Sequence, residues 1–404
     1  MHREYSVAKL LLFALLLTSP ACSETRDSAA PAGSGNRTVI APPAKGIYLG
    51  QTKIAGREIA DLEAISGGKI AIVADFSLVR GTENTNTPLQ FDIEKANRYA
   101  ADGYAMIVGA YEAHPGHRGF TVDRLIRGDY DRELSALAEQ FRQCRGQLFF
   151  CTCREPNGVL REFFGGYGPD GDQELPWAIE TRGGFADFKP PKPPKGAPDL
   201  FKGLGRDDVA DGIERLGAAQ RYYHDFFLRR EGLTNLTFET MGWQSPGPVA
   251  QRRFRNDWEE RLEKSMTFEQ LLAAIGPYYD WISVNWYLET EPEDETGFPP
   301  EEGPRKHVEA FNKTLATIAR VAPNRPIILT ELGILPPLKT EKAAAAFELI
   351  RNSRQIKAIV FWGAPTGNNR FDAALEPGSP AAGILKSIIR KSPGFSQPTV
   401  ETRR

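Results

Sequence analysis

Residues 326–333 read Pro-Ile-Ile-Leu-Thr-Glu-Leu-Gly. The run is apolar without alternation, stops on a carboxylate and is followed by a glycine. A strand with one wet face alternates apolar and polar residues. A strand without alternation is covered on both faces, as in a parallel sheet flanked by helices. Seven more runs share this build: 46–50 (GIYLG), 69–75 (KIAIVAD), 104–110 (YAMIVGA), 147–153 (QLFFCTC), 236–243 (LTFETMGW), 281–287 (WISVNWY) and 357–362 (KAIVFW). Helical spacing of apolar residues separates most of them, at 91–101, 130–144, 213–228, 268–275, 307–321 and 342–352. In the second of these, Leu134, Leu137, Ala138 and Phe141 fall on one face. Eight such strands with helices between them predict the α/β class and a (β/α)8 TIM barrel, a single domain with elaborated loops on its C-terminal face. The rival is a doubly wound sheet, but no GxGxxG follows the first strand and there is no P-loop.

Composition agrees with one large globular domain. The chain has 404 residues, 41 % hydrophobic and 25 % charged, with a formal net charge of −2. That balance argues against a nucleic-acid partner recruited by bulk charge, and the apolar share is too high for a disordered chain. The two ends fall outside the barrel pattern. Lys9 precedes the apolar run 10–17, and small residues lead to Ala21-Cys22. This is the build of an export signal, too short to span a bilayer comfortably. Ser19-Pro20-Ala21-Cys22 resembles a bacterial lipoprotein processing site, which makes Cys22 the expected lipidation site. Residues 1–22 are thus read as a signal peptide of lipoprotein type, 23–45 as a flexible tether, 46–391 as the catalytic-type domain and 392–404 as a disordered tail. The chain is expected to be exported to the cell envelope or beyond, to meet the membrane only through that anchor, and to be monomeric.

Cys144, Cys151 and Cys153 are too few for a disulfide scaffold. One bridge from Cys144 to either of the others is open, with buried free thiols as the alternative. No CxxC pair and no HExxH occurs, so no metal site and no cofactor is expected. Residues 165–206 are rich in Gly, Pro and Asp and lack apolar periodicity. They form either a long substrate-facing loop after the fourth strand or a surface insertion.

Polar residues at the C-terminal ends of barrel strands are the ones to read as functional. Glu155 follows the fourth strand in Cys153-Arg154-Glu155-Pro156-Asn157-Gly158, and Glu331 ends the seventh. Two carboxylates converging about 5–5.5 Å apart above a barrel would suit retaining glycoside hydrolysis. Either could instead be an ion-pair partner. Trp243, Trp286 and Phe164 offer aromatic faces to a pyranose ring, or core packing. Asp75 is a sugar contact or a rim carboxylate. His114 and His117 are spaced for a metal but have no third ligand.

The chain resembles the clan A glycoside hydrolases, and most of all the family 26 mannanases. Residues 122–158 carry the likeness: Ile126-Arg127-Gly128-Asp129-Tyr130-Asp131, an amphipathic helix, an apolar strand, then Glu155-Pro156-Asn157-Gly158. The run 326–333 is similar to the family's nucleophile strand. The resemblance covers roughly residues 46–389. It implies that Glu155 is the general acid/base and Glu331 the nucleophile. It also implies that Tyr287 hydrogen-bonds that nucleophile, that Trp362 floors the adjacent sugar subsite, and that His114 contacts the same sugar. Arg154 and Asn157 flank the acid/base and are expected at the substrate. Two departures stand out: Arg154 replaces the family's His before the acid/base, and Val159-Leu160-Arg161-Glu162-Phe163-Phe164 replaces its Trp-rich run. The expected activity is endo-acting, retaining hydrolysis of a β-linked polysaccharide or oligosaccharide, with β-mannan first. The alternatives are a catalytically weak carbohydrate-binding barrel, which Arg154 motivates, and another clan A glucanase or xylanase.

Overall fold

The computed structural model describes residues 36–52, 59–66, 68–75, 78–80, 89–109, 125–152, 199–204, 212–240, 242–244, 268–288, 303–334, 340–362, 382–383, 386–387 and 399–403. All of them belong to the unit Gly33–Arg404. In chain order its main elements begin with β1 (Arg37–Ile40), β2 (Tyr48–Thr52), α1 (Ile59–Ser66), β3 (Ile72–Ala74), α2 (Ile93–Ala101), β4 (Ala105–Gly109), α3 (Asp131–Arg142) and β5 (Leu148–Cys151). There follow α4 (Gly212–His224), β6 (Leu236–Glu239), α5 (Phe268–Ala274), β7 (Ile282–Leu288), α6 (Gly303–Val321), β8 (Ile327–Ile334), α7 (Thr340–Asn352), β9 (Ile356–Phe361) and β10 (Val400–Arg403).

Strands β2 to β9 are the eight strands read from the sequence, and every neighbour pairs in parallel. The ring runs β6-β5-β4-β3-β2-β9-β8-β7. It closes between β7 and β6 through a bridge of Glu239 with Trp281 and through residues 243–244, which pair with Val284 and Asn285. The architecture is therefore the predicted (β/α)8 barrel. Alternation along each strand sorts the core into two layers. Tyr48, Ile72, Ala74, Ala105, Ile107, Phe149, Cys151, Trp281, Ile328, Ala358 and Val360 fill the barrel. Their outward neighbours, among them Leu49, Val73, Met106, Phe150, Phe238, Val284, Leu329 and Ile359, pack against the helices. Gly50 shows how tightly the interior is filled. A Cβ there would lie 2.8 Å from Val360 Cγ2 and 3.0 Å from the Ile72 carbonyl oxygen.

The chain ends depart from expectation. Residues of the supposed tether and of the supposed disordered tail pair with each other: β1 and β10 form an antiparallel ribbon, Arg37 opposite Arg403 and Ile40 opposite Val400. The ribbon seals the barrel at the N-terminal ends of its strands. Ile40 is fully buried in the barrel-filling cluster. Its N–H donates to Thr237 Oγ1 (2.8 Å) and its carbonyl accepts from Trp281 Nε1 (2.8 Å). Asp280 locks the ribbon, taking Arg37 (2.5 Å) and Arg403 (2.8 Å) on Oδ1 and the Phe238 N–H (2.9 Å) on Oδ2. The Tyr48 hydroxyl bonds the Ala41 carbonyl and accepts from the Thr399 N–H, 3.0 Å each.

The end of the 165–206 segment is tied down. Buried Arg221 of α4 donates to the carbonyls of Leu200, Lys202 (2.8 Å each) and Ala274 (2.7 Å), so its charge is met by three backbone dipoles. Burial pushes its pKa below the usual guanidinium value. Cys144 is a buried free thiol, and Cys151 is buried in the barrel-filling cluster. Cys153 lies outside the described residues. Asp75 takes the rim reading, since it accepts from Tyr99 (2.8 Å) and pairs with Lys95 (2.5 Å), both on α2.

Candidate active site

Glu239 at the end of β6, Ser283 and Asn285 in β7, and Thr330 and Glu331 in β8 are buried polar residues among the apolar strands. The decisive feature is an irregularity in β8. Val284 pairs with Leu329, yet the next pair is Asn285 with Glu331. On the other edge Leu329 pairs with Ile359, and Leu332 with Phe361. Both neighbours therefore count one residue fewer than β8 does, which defines a β-bulge at Thr330–Glu331. Leu329 and Leu332 both pack outward against the helices. Thr330 and Glu331 between them turn inward. Strict alternation from Ile328 would have sent Glu331 outward, so the bulge is what delivers its carboxylate to the barrel, where it is 2 % exposed.

Glu239, at the end of β6, is fully buried. Its neighbour Phe238 faces outward and Thr237 faces in, so Glu239 faces in as well. The Thr330 hydroxyl donates to Glu239 Oε2 at 3.5 Å and is also hydrogen-bonded to Ser283 Oγ. The Ser283 N–H donates to Thr240 Oγ1 at 2.8 Å. Gly242 leaves room here, because a Cβ would come within 3.1 Å of Asn285 Oδ1. On the far side of the ring, Thr52 ends β2, buried, and its hydroxyl has no hydrogen-bond partner among the described residues. Gln220 of α4 braces the ends of β5 and β6. Its amide donates to the carbonyls of Glu239 (3.2 Å) and Tyr278 (3.0 Å), and its oxygen accepts from Thr152 (2.5 Å).

The residues expected at the site fare differently. Glu331 was expected to end its strand; β8 runs on to Ile334, and the bulge turns the buried Glu331 inward. Trp362 follows β9 on the neighbouring strand, half-buried, its N–H bonded to the Leu332 carbonyl at 3.0 Å. The backbone of Tyr287 lies in β7 opposite Gly333, and that of Trp243 lies opposite Val284. His114, Arg154, Glu155, Asn157, Phe164 and Cys22 lie outside the described residues. Trp286 is corrected. It is 1 % exposed and stacks on Phe311 of α6 with ring centroids 3.8 Å apart. A ring enclosed between strand and helix offers no face to a sugar. Glu239, Ser283 and Thr330 were not read as site residues. Their signal was polarity inside otherwise apolar runs, since a strand covered on both faces has no ordinary place for a carboxylate.

No protein-family profile and no curated protein sequence matches the chain. Solved structures do match. GH26C from Muricauda sp. superposes with a TM-score of 0.51 at 13 % identity, covering 86 % of each chain. A GH26 beta-mannanase from Bacteroides ovatus gives 0.51 at 13 % identity, over 86 % of this chain and 89 % of that one. The chain has the family 26 glycoside hydrolase fold. At this identity the family 26 likeness is one of backbone, and the side chains at the mouth must speak for the chemistry. No described helix is long and apolar enough to cross a membrane.

Proposed function

We propose that the chain is an exported, retaining glycoside hydrolase acting on a β-linked polysaccharide, with β-mannan the first substrate to try. The observation that carries this reading is the bulge that turns Glu331 into the mouth of a family 26-type barrel, one strand from the half-buried Trp362. Glu331 attacks the anomeric carbon while Glu155 protonates the leaving oxygen. Glu155 then takes a proton from water as the glycosyl-enzyme is hydrolysed. In sequence Glu155 follows Cys151, the end of β5, by four residues, and β5 stands three strands from β8 around the ring. Tyr287, His114, Arg154 and Asn157 complete the site in this reading, and Trp243 and Phe164 rim it. Cys22 carries the lipid anchor, and the protein acts as a monomer without cofactor.

The test is sugar release from a panel of β-mannan, glucan and xylan, with the anomer of the first product read by NMR. Wild type releases sugar with retention, and Glu331→Ala and Glu155→Ala each lose about 10⁴–10⁶-fold in kcat. Initial inversion sinks the double-displacement mechanism. One specific observation favours a second reading: Arg154 stands beside Glu155. A guanidinium directed at that carboxylate holds it ionised, the wrong state for an acid. In that case the barrel binds sugars without cleaving them, and wild type shows binding with no release on any substrate.

A further inference from the structure

Glu239 is used by neither reading, yet it is a fully buried carboxylate facing the same interior as Glu331. Its Oε2 accepts from the hydroxyl of Thr330, the residue immediately before Glu331 and the other half of the bulge. We infer that Glu239 is a positioning residue for Glu331, acting through the Thr330 hydroxyl; this rests on the assignment of Glu331 as nucleophile.

The hydrogen-bond chemistry gives the chain a direction. An ionised carboxylate only accepts, so at that contact Thr330 must donate. A hydroxyl has a single proton, so Ser283 Oγ must then be the donor in its bond to Thr330. Ser283 is itself pinned from β6, its N–H bonded to Thr240 Oγ1. Three adjacent strands are thereby linked inside the barrel: β6 through Glu239 and Thr240, β7 through Ser283, and β8 through Thr330. The acceptor end is fixed from outside, because Gln220 holds the Glu239 carbonyl. The Thr330–Glu239 contact is long at 3.5 Å. What the chain holds is the bulge. Regular pairing of β8 with its neighbours would return residue 331 to the helix side, since a one-residue slip reverses a strand's facing. A hydroxyl held inward at Thr330 from two neighbouring strands opposes that return. Positioning of this kind acts on the rate of attack more than on sugar binding.

The experiment isolates attack from proton donation. 2,4-Dinitrophenyl 2-deoxy-2-fluoro-β-biosides, in manno and gluco configuration, carry a leaving group that needs no acid. Glu331 bonds to C1, and dinitrophenolate departs with the electron pair of the broken C1–O bond. Labelling is followed at 400 nm and by intact mass. We expect Glu239→Ala and Thr330→Val to slow the maximal labelling rate at least tenfold, with the half-saturating probe concentration within threefold of wild type. Glu239→Gln keeps an acceptor and Thr330→Ser keeps the hydroxyl, so both stay within threefold of wild type in rate. The double variant Glu239→Ala/Thr330→Val is no slower than the worse single one, because both break one link. If Glu239→Ala fails to fold, the Thr330→Val against Thr330→Ser contrast decides alone. Equal labelling rates in wild type, Thr330→Val and any folded Glu239→Ala overturn the positioning role while leaving Glu331 as nucleophile. A wild type that neither releases sugar nor takes either label overturns the hydrolase reading, and this inference with it.

Discussion

The Asp280 clamp makes the sharpest physical prediction. Its carboxylate is 4 % exposed and serves three donors at once: Arg37 at 2.5 Å, Arg403 at 2.8 Å and the Phe238 N–H at 2.9 Å. Asp280→Ala removes all three bonds. The Phe238 N–H is left buried without its acceptor, which costs about 1–3 kcal/mol. The two guanidinium groups are 17 % and 31 % exposed, so water recovers part of their loss. Breaking a fully buried pair costs about 3–5 kcal/mol, and roughly half of that applies here. The sum is about 3–5 kcal/mol, read as a lower urea midpoint with unchanged slope. Asp280→Asn offers an oxygen to the arginines only by turning its NH2 toward the Phe238 N–H, so it recovers less than half. Hydrogen exchange locates the damage. The Ile40 amide, bonded to Thr237 Oγ1, loses protection in both variants, because the ribbon frays before the barrel opens. Sugar release by the folded fraction is unchanged, since Asp280 sits at the N-terminal end of β7 and Glu331 at the other end of the barrel. A stability loss under about 1 kcal/mol, or an Ile40 amide as protected as in wild type, refutes the clamp.

Three further outcomes follow from the packing. Gly50→Ala forces a Cβ to 2.8 Å from Val360 Cγ2 and destabilises by about 1–3 kcal/mol, seen as a lower thermal midpoint; an unshifted midpoint shows that the interior has slack. Trp286→Phe shrinks a ring packed on Phe311, so stability falls by about 1–3 kcal/mol while KM for oligosaccharide stays constant; a raised KM returns the ring to the sugar. Burial raises the pKa values of Cys144, Tyr222 and Tyr279, with Asp131 adding to the rise at Tyr222. The folded chain therefore holds these protons above pH values where the unfolded chain releases them, about 8.5 for a thiol and 10 for a phenol. Stability is whole below those values and declines as pH rises through them. Urea midpoints from pH 7 to 11 test this, and a midpoint flat to pH 11 refutes it.

The barrel was legible because both faces of its strands are covered. Each of the eight strands is a run that sequence alone marks, within four residues of its observed bounds. Helix α1 was missed: Ile59, Leu62 and Ile65 give too few apolar positions in eight residues to mark a stripe. The terminal ribbon was missed for a different reason. RTVI and VETR are four-residue strands separated by some 360 residues, with no turn between them to announce a hairpin. Pairing at that separation leaves no local trace in composition, and polar Ser/Pro/Thr neighbours made both ends look like tethers. What holds them is tertiary, namely Asp280, Tyr48 and Trp281.

The site divides along the same line between pattern and packing. In Trp281-Ile282-Ser283-Val284-Asn285-Trp286, the polar residues fall at 283 and 285. In a barrel the helix-facing side is uniformly apolar, so those two positions mark the interior, and Trp286 must then face the helices. The sequence held that correction, and reading the run as featureless concealed it. Glu331 is the opposite case. Counting by twos from Ile328 sends it outward, and no residue type in Thr330-Glu331-Leu332 announces a bulge. The extra residue becomes visible only against the neighbours, where Asn285 and Phe361 fix the count from either side. A strand-end carboxylate was thus a sound reason to suspect Glu331, but its direction depends on the inward hydroxyl of Thr330 and on Ser283 and Glu239, which hold it from two other strands. The chemistry expected of one glutamate therefore depends on three residues that a search for paired catalytic carboxylates passes over.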